Sequence, residues 1–371
     1  MTDVVEINRL EELDVYTDDW GRLYRETPDA SFFQSLAWLK TYWRHFGGFQ
    51  RLRVLVIGAA RPTAIVPLTV FCEPTRIGRL RMLTWPLDEW GSFYGPLGSD
   101  PATALSAAML HVRQTPRDWD LIDFRWVPPG DDARSAYRSA MREAGLPGRE
   151  SLWTQAAIVD LNGSWEDYLA TRPAKFRSEL RRQHRRAAEH GPLCYERFRP
   201  GGADGDDDAP CLPLYEQCVE LARRSWQGSS QSGTTLSHQP VRGFLREVHV
   251  AAASVGAVDL NVLRIGDRLA AFAYNYIHGG RVYGLRAGFD PEFAEAGVGT
   301  VLFSHMIRDS FQRGDRLIDL GTGYLAGKRC WMTRLVDVGR ITHYAAACLR
   351  AQILRLAHRL RGKHRPHFLP V

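Results

Sequence analysis

The stretch YGLRAGFDPEFAEAGVGTVLFSHMIRD, from Tyr283 to Asp309, determines which fold we predict. It begins as an apolar and aromatic strand pattern, passes through an acidic turn with a proline, reaches Gly297 and Gly299, and continues as an apolar helix pattern. Glycines directly before a helix let the backbone approach a ligand closely, and the free amide groups of that helix favour an anion. The stretch therefore predicts a phosphate-binding turn or, alternatively, a plain turn in which glycine relieves backbone strain.

The residues on either side of this stretch extend the pattern. Between Asp259 and Asp290 lie three strand-like runs, separated by Gly266-Asp267 and Gly279-Gly280, which are typical hairpin turns. After the helix pattern, Gly314 ends the helix and RLIDLGTG follows as a further strand. The predicted order is an antiparallel meander, a glycine turn, a helix and a strand.

Composition limits the class of protein. The chain has 371 residues, of which 44% are hydrophobic and 24% are charged, and this is typical of a soluble protein of two or three domains. We find no run of about 18 apolar residues and no secretory leader, so the expected location is the cytoplasm. The six cysteines show neither C-x-x-C pairs nor Cys/His ligand spacing, so we expect free thiols and no metal site.

The chain divides into two similar halves. The first has a helix pattern at 35–46 followed by several apolar strand runs, and the pattern restarts at Ala156 with the strand AAIVDL. We predict a first lobe at 1–155, a second lobe at 156–345, and a basic helix and tail at 346–371.

Basic residues form two clusters. The chain has 48 basic and 42 acidic side chains, and the clusters lie at Thr171–Arg186 and Leu349–His367. Each cluster could contact phosphates, RNA or an anionic membrane, or could be a solvated helix face. In the tail, apolar residues recur at helical spacing, so this stripe either contacts the inner face of a membrane peripherally or packs on the second lobe; its members are Leu349, Ile353, Leu356 and Leu360. From Arg361 onward we expect an exposed tail.

Several segments together resemble a known superfamily. They are AIVPL, KFRSELRRQHRRAAEHG, RSWQG, GFDPEF with AGVGTVL, and DLGTGYLAGKRCW. In this order they resemble the GNAT acyltransferases, and within them the tandem-domain branch that includes CelD-type acetyltransferases of cellulose and exopolysaccharide biosynthesis and the Fem-type (FemAB-like) aminoacyltransferases. The resemblance implies an α/β (α+β) fold of two tandem GNAT-like lobes. Each lobe would be a mixed, mostly antiparallel sheet flanked by helices, with the first lobe degenerate and unable to bind CoA.

The resemblance also implies a site for acetyl-CoA or another acyl-CoA. The donor would lie where the sheet opens between two parallel strands, with its pantetheine arm along the strand that ends at Phe289 and its pyrophosphate on the glycine turn. The first position of the superfamily pattern falls on Ala294, so no side chain contributes there. The implied cofactor-binding residues are Gly288, Phe289, Asp290, Gly297, Val298, Gly299, Thr300 and Val301.

Acyl transfer from a thioester needs a positioned nucleophile, donors for the oxyanion and a proton for the departing thiolate. The candidate catalytic residues are Asp319, Tyr324 and Lys328, with Tyr324 placed as the superfamily places its general acid; the alternative puts Tyr324 in the core and Lys328 on the surface. Candidate bases near the same strands are His278, Asp290, Glu292, His305 and Asp319. Candidate acceptor-binding residues are Trp226, Tyr274, Tyr283 and Arg286, with core packing as the alternative for Trp226.

Three functions are compatible with these patterns. The first is an acyl-CoA-dependent N- or O-acyltransferase that acts on a sugar, a sugar nucleotide or a polysaccharide precursor. The second is a Fem-type transferase that uses aminoacyl-tRNA, although the long helical hairpin frequent in Fem-type proteins has no counterpart here. The third is a non-catalytic GNAT-like module of a polysaccharide synthesis complex.

Overall fold

The computed structural model describes residues 3–58, 60–75, 77–88, 90–201, 210–230 and 233–360. In chain order the strands are β1 Val4–Ile7, β2 Gln50–Ile57, β3 Ala64–Thr75, β4 Gly78–Thr84, β5 Leu121–Val127, β6 Arg149–Asp160, β7 Leu193–Phe198, β8 Val258–Ile265, β9 Arg268–His278, β10 Arg281–Phe289, β11 Leu317–Asp319 and β12 Arg334–Tyr344. The helices are α1 Thr17–Glu26, α2 Leu36–Phe46, α3 Pro101–Gln114, α4 Asp131–Glu143, α5 Trp165–Ala170, α6 Ala174–Glu189, α7 Leu212–Arg224, α8 Arg242–Ala253, α9 Val298–Arg313, α10 Leu325–Lys328 and α11 Leu349–Leu360.

The chain forms two compact units. Among the described residues, the first unit comprises 3–155 and 337–360, and the second comprises 156–336. The division after residue 155 lies where the sequence pattern restarts. The second predicted boundary, at 345, differs from the structure, because β12 pairs with β5 from Gly339 to Tyr344 and so ties these residues to the first unit.

The first unit contains a mixed sheet in the order β1-β2-β3-β4-β5-β12. Its pairs are antiparallel except for β4 and β5, which run parallel and pair only at Met82↔Leu121 and Leu83↔Ile122. Helix α3 makes the crossover between these two strands, as a parallel pair requires. The helix begins at Pro101, and the side chain of Asp100 caps it by accepting a hydrogen bond from the Thr103 amide.

The second unit repeats this topology in the order β6-β11-β10-β9-β8-β7, with β6 contributing residues 156–160. The predicted meander is β8, β9 and β10, and its second turn places Gly279 and Gly280 at φ of 53° and 72°. Two successive residues with positive φ favour glycine strongly, which is why this dipeptide marks the hairpin. Strands β10 and β11 form the parallel pair, and α9 is the crossover between them.

Helices cover both faces of the second sheet. On β10, Ala287 and Phe289 pack in the core cluster that contains α6 and α9, whereas Gly288 faces Ser225 at the end of α7. Successive residues of a strand point to opposite faces, so α7 lies on the face opposite α9. The predicted fold class, a mixed and mostly antiparallel sheet flanked by helices, is confirmed.

The C-terminal segment forms the predicted helix, α11, but its orientation differs from the expected packing. Ala351 is buried and Leu354 packs against the cluster around β4, whereas Leu349, Ile353 and Leu356 are exposed. The structure thus places α11 on the first unit through Ala351 and Leu354, and these three residues of the predicted stripe are not the ones that pack. The tail from Arg361 lies outside the described residues, and none of the described helices is long and apolar enough to span a bilayer.

Candidate active site

The parallel strands β10 and β11 part after a short contact. They pair at Arg281↔Leu317, Val282↔Ile318 and Tyr283↔Asp319, and β10 then continues to Phe289 with β9 as its only partner in the described pairings. Gly284 stands where they part, and a Cβ there would lie 2.9 Å from the Asp319 carbonyl oxygen. The β9–β10 register also shifts between Gly284 and Arg286, and such a bulge re-aims the strand. The second half of β10 therefore presents one edge without a strand partner.

Asp319 lies at the end of β11, beside this parting. Its side chain is almost completely buried, and its Oδ1 accepts a hydrogen bond of 2.8 Å from the Gly321 amide. Its Oδ2 has no hydrogen-bond partner in the described part of the chain, since the Arg281 guanidinium nitrogen at 3.6 Å is beyond hydrogen-bond distance. Burial raises the pKa of Asp319, and the charge of Arg281 opposes this increase. One carboxylate oxygen is thus left to interact with a further group.

Lys328 comes close to Asp319 through the turn at Gly321. Its Nζ lies 3.7 Å from the position that a Cβ on Gly321 would occupy. Burial lowers the pKa of Lys328 to about 8, and the negative charge of Asp319 opposes that decrease. A lysine with this pKa is partly neutral near pH 8, so it can accept a proton. The structure therefore brings together two of the three predicted catalytic residues, and Lys328 is half-buried instead of lying on the open surface.

Tyr324 is placed differently. It precedes α10 with φ of 49°, its side chain is 82% exposed, and its ring lies over Gly327. Its expected alternative position in the core is wrong. In the described contacts it touches neither Asp319 nor Lys328.

The glycine turn joins β10 to α9. A turn of 3-10 helix covers Pro291–Ala296, and Gly297 follows with φ of 71°. No side chain caps α9, and the amides of Thr300 and Val301 both donate to the Gly297 carbonyl. The amides of Val298 and Gly299 have no acceptor in the described hydrogen bonds. The turn thus has two free backbone donors at a helix N-terminus, which is the arrangement that binds phosphate groups.

The two glycines of this turn serve different purposes. Gly297 has positive φ, and a Cβ on it would lie 2.6 Å from the Gln183 side chain of α6. Gly299 has an ordinary backbone conformation, and a Cβ there would meet only the Phe289 ring, at 3.4 Å. Val298 and Val301 bury their side chains in the core, so they contribute to the turn only through the backbone. Gly297 is therefore required by the fold, and Gly299 is the better position for testing ligand binding.

The other candidate bases belong to structural networks. The buried Asp290 carboxylate accepts from the Glu292 amide and pairs with Arg224 and Arg268, so it holds the turn before α9. Glu292 itself pairs with Arg268 at 2.6 Å. In the described residues no cluster of three or more His, Cys, Asp or Glu side chains could hold a metal ion.

The two histidines among the candidate bases are partly buried. His305 stacks on Tyr195 with ring centroids 5.3 Å apart, and burial lowers its pKa to about 4. Burial also lowers the pKa of His278. Of the five candidate bases, Asp319 is the one beside Lys328.

The four predicted acceptor-binding residues differ in exposure. Tyr274 is buried, with its hydroxyl 3.0 Å from His249 Nδ1, and Tyr283 is buried with the Arg281 guanidinium 4.9 Å from its ring centre. Arg286 donates to the Thr234 carbonyl. Trp226 is 56% exposed and donates from Nε1 to the Ala287 carbonyl at 3.1 Å. Trp226 thus contacts the residue next to Arg286 on the free part of β10, and Tyr274 lies opposite Arg286 in the β9–β10 ladder. The core alternative for Trp226 is wrong.

Sequence reasoning missed three residues of this region. Arg281 lies two residues before Tyr283 on β10, and strand alternation could have placed it on the same face, beside Asp319. Gln227 donates to the Ala287 carbonyl together with Trp226, and Gln183 lies against Gly297. No local pattern indicates either glutamine, because their contacts join distant parts of the chain.

Comparison with known proteins agrees with this geometry. Residues 174–329 match the family described as acetyltransferase (GNAT) domain, and no curated protein matches the chain. Similar solved structures include FemX, at 12% identity, which covers 95% of this chain and 99% of its own, with a TM-score of 0.61. The C-terminal domain (DUF2156) of a putative lysylphosphatidylglycerol synthetase from Agrobacterium fabrum has 13% identity, coverage of 96% and 99%, and a TM-score of 0.53.

A third similar structure is L-PGS from Bacillus licheniformis, at 14% identity, with 88% of this chain and 96% of that chain covered and a TM-score of 0.52. At such identities these three structures establish likeness of fold, and the family match adds the class of domain. The segment that matches the GNAT acetyltransferase domain runs from the start of α6 to the residue after α10, and it includes the glycine turn, Asp319 and Lys328.

Proposed function

We propose that the second unit transfers an acyl group from an acyl-CoA, such as acetyl-CoA, to an amine or hydroxyl group of a saccharide acceptor. The GNAT domain supports an acyltransferase. The observation that carries the proposal is the position of Lys328, a half-buried lysine of lowered pKa, near the buried Asp319 where β10 and β11 part. A proton acceptor at the mouth of an opened parallel pair suits attack on a thioester held between the strands.

The donor fits this part of the chain at two places. The free amides of Val298 and Gly299 would hold the pyrophosphate at the N-terminus of α9. The free edge of β10 would pair with the amides of the pantetheine arm, as a sheet edge pairs with an added strand. Trp226 and Gln227 would then give up the Ala287 carbonyl, which they cover in this structure.

The chemistry follows from the two titratable groups. Neutral Lys328 takes the proton from the acceptor nitrogen or oxygen as that atom forms a bond to the thioester carbon. The free Oδ2 of Asp319 accepts a hydrogen bond from the acceptor and orients it. The carbon–sulfur bond breaks, and the proton passes from Lys328 to the departing thiolate. Tyr324 remains a candidate for this last step only if the turn that carries it moves, because its ring points to solvent.

Isothermal titration with acetyl-CoA, longer acyl-CoAs and free CoA tests which donor the protein binds. Thiol release assays with amino sugars and with their hydroxyl analogues then test which acceptor receives the acyl group. We expect one donor molecule per chain and acyl transfer to the saccharide. Absence of CoA binding by the folded protein would overturn the proposal.

A groove beside α9 favours a second candidate, a transferase that uses aminoacyl-tRNA. The groove has a volume of about 430 Å³ and lies between α5, α6 and α9. Three arginines line it, Arg181, Arg185 and Arg308, and in the described part of the chain none of them pairs with a carboxylate. Unpaired guanidinium groups bind the phosphates of an RNA backbone.

The variant Arg181→Gln with Arg185→Gln separates the two candidates. An aminoacyl-tRNA donor predicts that this variant loses tRNA binding, with a weaker dependence of binding on salt. An acyl-CoA donor predicts unchanged CoA affinity and unchanged turnover.

A further inference from the structure

Helix α11 has one face fixed to the first unit and another left exposed. Ala351 is buried, Gln352 donates to the carbonyls of Tyr344 and Ala345, and His358 bonds to the Tyr344 hydroxyl. These contacts fix the rotation of the helix about its axis. The exposed face carries Leu349, Ile353 and Leu356, which are 77%, 45% and 58% exposed.

The excess of positive over negative charge comes from the same segment. Residues 349–371 hold six of the 48 basic side chains and none of the 42 acidic ones. The other 348 residues therefore carry 42 of each sign, and the formal net charge of +6 belongs entirely to the C-terminal segment. Within α11 the basic side chains are Arg350, Arg355 and Arg359.

The combination of an apolar stripe with neighbouring arginines favours one class of binding partner over the others. RNA and acidic proteins would use the positive charge, but neither requires three exposed aliphatic side chains on one helix face. A bilayer with anionic lipids uses both, because its headgroups attract arginines while its acyl boundary takes up the aliphatic side chains. We propose that α11 is the membrane-contacting surface of this protein and holds it on anionic lipid in the plane of the interface.

Co-sedimentation of the full chain with vesicles tests the proposal. One set of vesicles contains only phosphatidylcholine, and the other also contains the anionic lipid phosphatidylglycerol. We expect binding to the anionic vesicles only, weakened about tenfold or more by high salt because screening removes the headgroup attraction. The triple variant Leu349→Ser, Ile353→Ser and Leu356→Ser should bind on the order of a hundredfold more weakly, since it loses the apolar area that enters the interface.

The matched control replaces two exposed apolar residues elsewhere in the first unit, Val15→Ser with Phe49→Ser, and should bind as the parent protein does. Thermal unfolding establishes that each variant is folded, and Arg350→Gln with Arg359→Gln gives an independent measurement of the charge contribution. Equal binding to neutral vesicles, or full binding by the triple serine variant, would overturn the proposal. So would a single-stranded RNA oligonucleotide that binds the triple serine variant and the parent equally and displaces the parent from vesicles.

Discussion

The tripeptide Leu-Ile-Asp begins both β5 in the first unit and β11 in the second, and in each unit this strand is the second member of the parallel pair. The two aspartates, Asp123 and Asp319, are both buried. Asp123 accepts two hydrogen bonds from Arg340, one from Arg125 and one from Thr342. Asp319 accepts one hydrogen bond from a backbone amide and forms an ion pair with Arg281 at 3.6 Å.

Their protonation differs accordingly. Burial alone would raise the pKa of Asp123, but the charges of Arg340 and Arg125 outweigh burial and lower it to about 2. At Asp319 burial prevails over the single Arg281, and the pKa is raised. The first aspartate is neutralised within the fold, whereas the second retains an unsatisfied oxygen. Equal topology thus carries a structural ion cluster in one unit and an incompletely hydrogen-bonded carboxylate in the other, where we propose the reaction takes place.

The helix that follows the first strand of the parallel pair also differs between the units, because its N-terminal amides are occupied in the first unit and free in the second. In α3 the carboxylate of Asp100 occupies the N-terminal amides, with a hydrogen bond of 3.1 Å from the Thr103 amide. In α9 no side chain occupies them. Because an anion of the protein already fills the site in the first unit, we expect CoA to bind in the second unit alone.

Replacing Lys328 should have the largest effect. Lys328→Met removes the proposed proton acceptor, and we expect the rate of acyl transfer to fall on the order of 10²- to 10⁴-fold with little change in donor affinity. In the parent protein the rate should rise with pH and level off above about pH 8, because neutral lysine is the active form and burial lowers its pKa to about 8.

Steady-state kinetics across pH measure this effect. The control Lys40→Met removes a lysine that pairs with Asp14 in the first unit and should leave the profile unchanged. If the Lys328→Met enzyme showed the pH–rate profile of the parent protein, Lys328 would have no part in the reaction.

The next effect concerns stability. Asp123→Asn removes the fully buried carboxylate that pairs with the partly buried guanidinium groups of Arg125 and Arg340, so we expect a loss of about 3–5 kcal/mol in the free energy of unfolding. Since the folded pKa lies below the ordinary value, this contribution is present above about pH 4 and is lost as pH falls towards 2. Denaturant titration at neutral and acidic pH measures it, and an Asp123→Asn protein as stable as the parent would contradict the structural role.

A third variant tests the glycine turn. Gly299→Glu adds a carboxylate at the free amides of α9, and we expect acyl-CoA affinity to drop on the order of a hundredfold while the melting temperature changes little. The control Gly243→Glu introduces the same side chain in the first turn of α8, where a Cβ meets nothing within 4 Å. If a folded Gly299→Glu protein bound acyl-CoA with the affinity of the parent protein, the glycine turn would serve only the fold.

The smallest effect should come from Asp319→Asn. The charge of Asp319 raises the pKa of Lys328 against burial, so its removal lowers that pKa and moves the rising limb of the pH–rate profile to lower pH. Because the folded pKa of Asp319 is raised, its ionised form costs stability at neutral pH, and the variant should be as stable as the parent or more so. A clear destabilisation by Asp319→Asn would show that Asp319 stabilises the fold as Asp123 does.

Local patterns were sufficient for much of this fold. The dipeptides Gly-Asp and Gly-Gly between the strand runs predicted the meander, and Asp319 and Lys328 were found together because they are nine residues apart on one strand and turn. The ion cluster around Asp123 could not be found in this way, because Arg340 is 217 residues away in the chain. The helix α11 was predicted from spacing, but spacing does not determine which face is buried, and Ala351 with Leu354 replaced the larger stripe.

The covering of the Ala287 carbonyl by Trp226 and Gln227 has a consequence for solubility. A parallel pair that parts creates a strand edge inside a sheet, and an uncovered edge is a template for the strand of another molecule. Here two side-chain donors occupy the carbonyl, and the bulge between Gly284 and Arg286 interrupts the regular ladder. The edge that suits an extended ligand is thereby guarded against self-association, so the double variant Trp226→Ala with Gln227→Ala should aggregate at concentrations where the parent protein stays monodisperse.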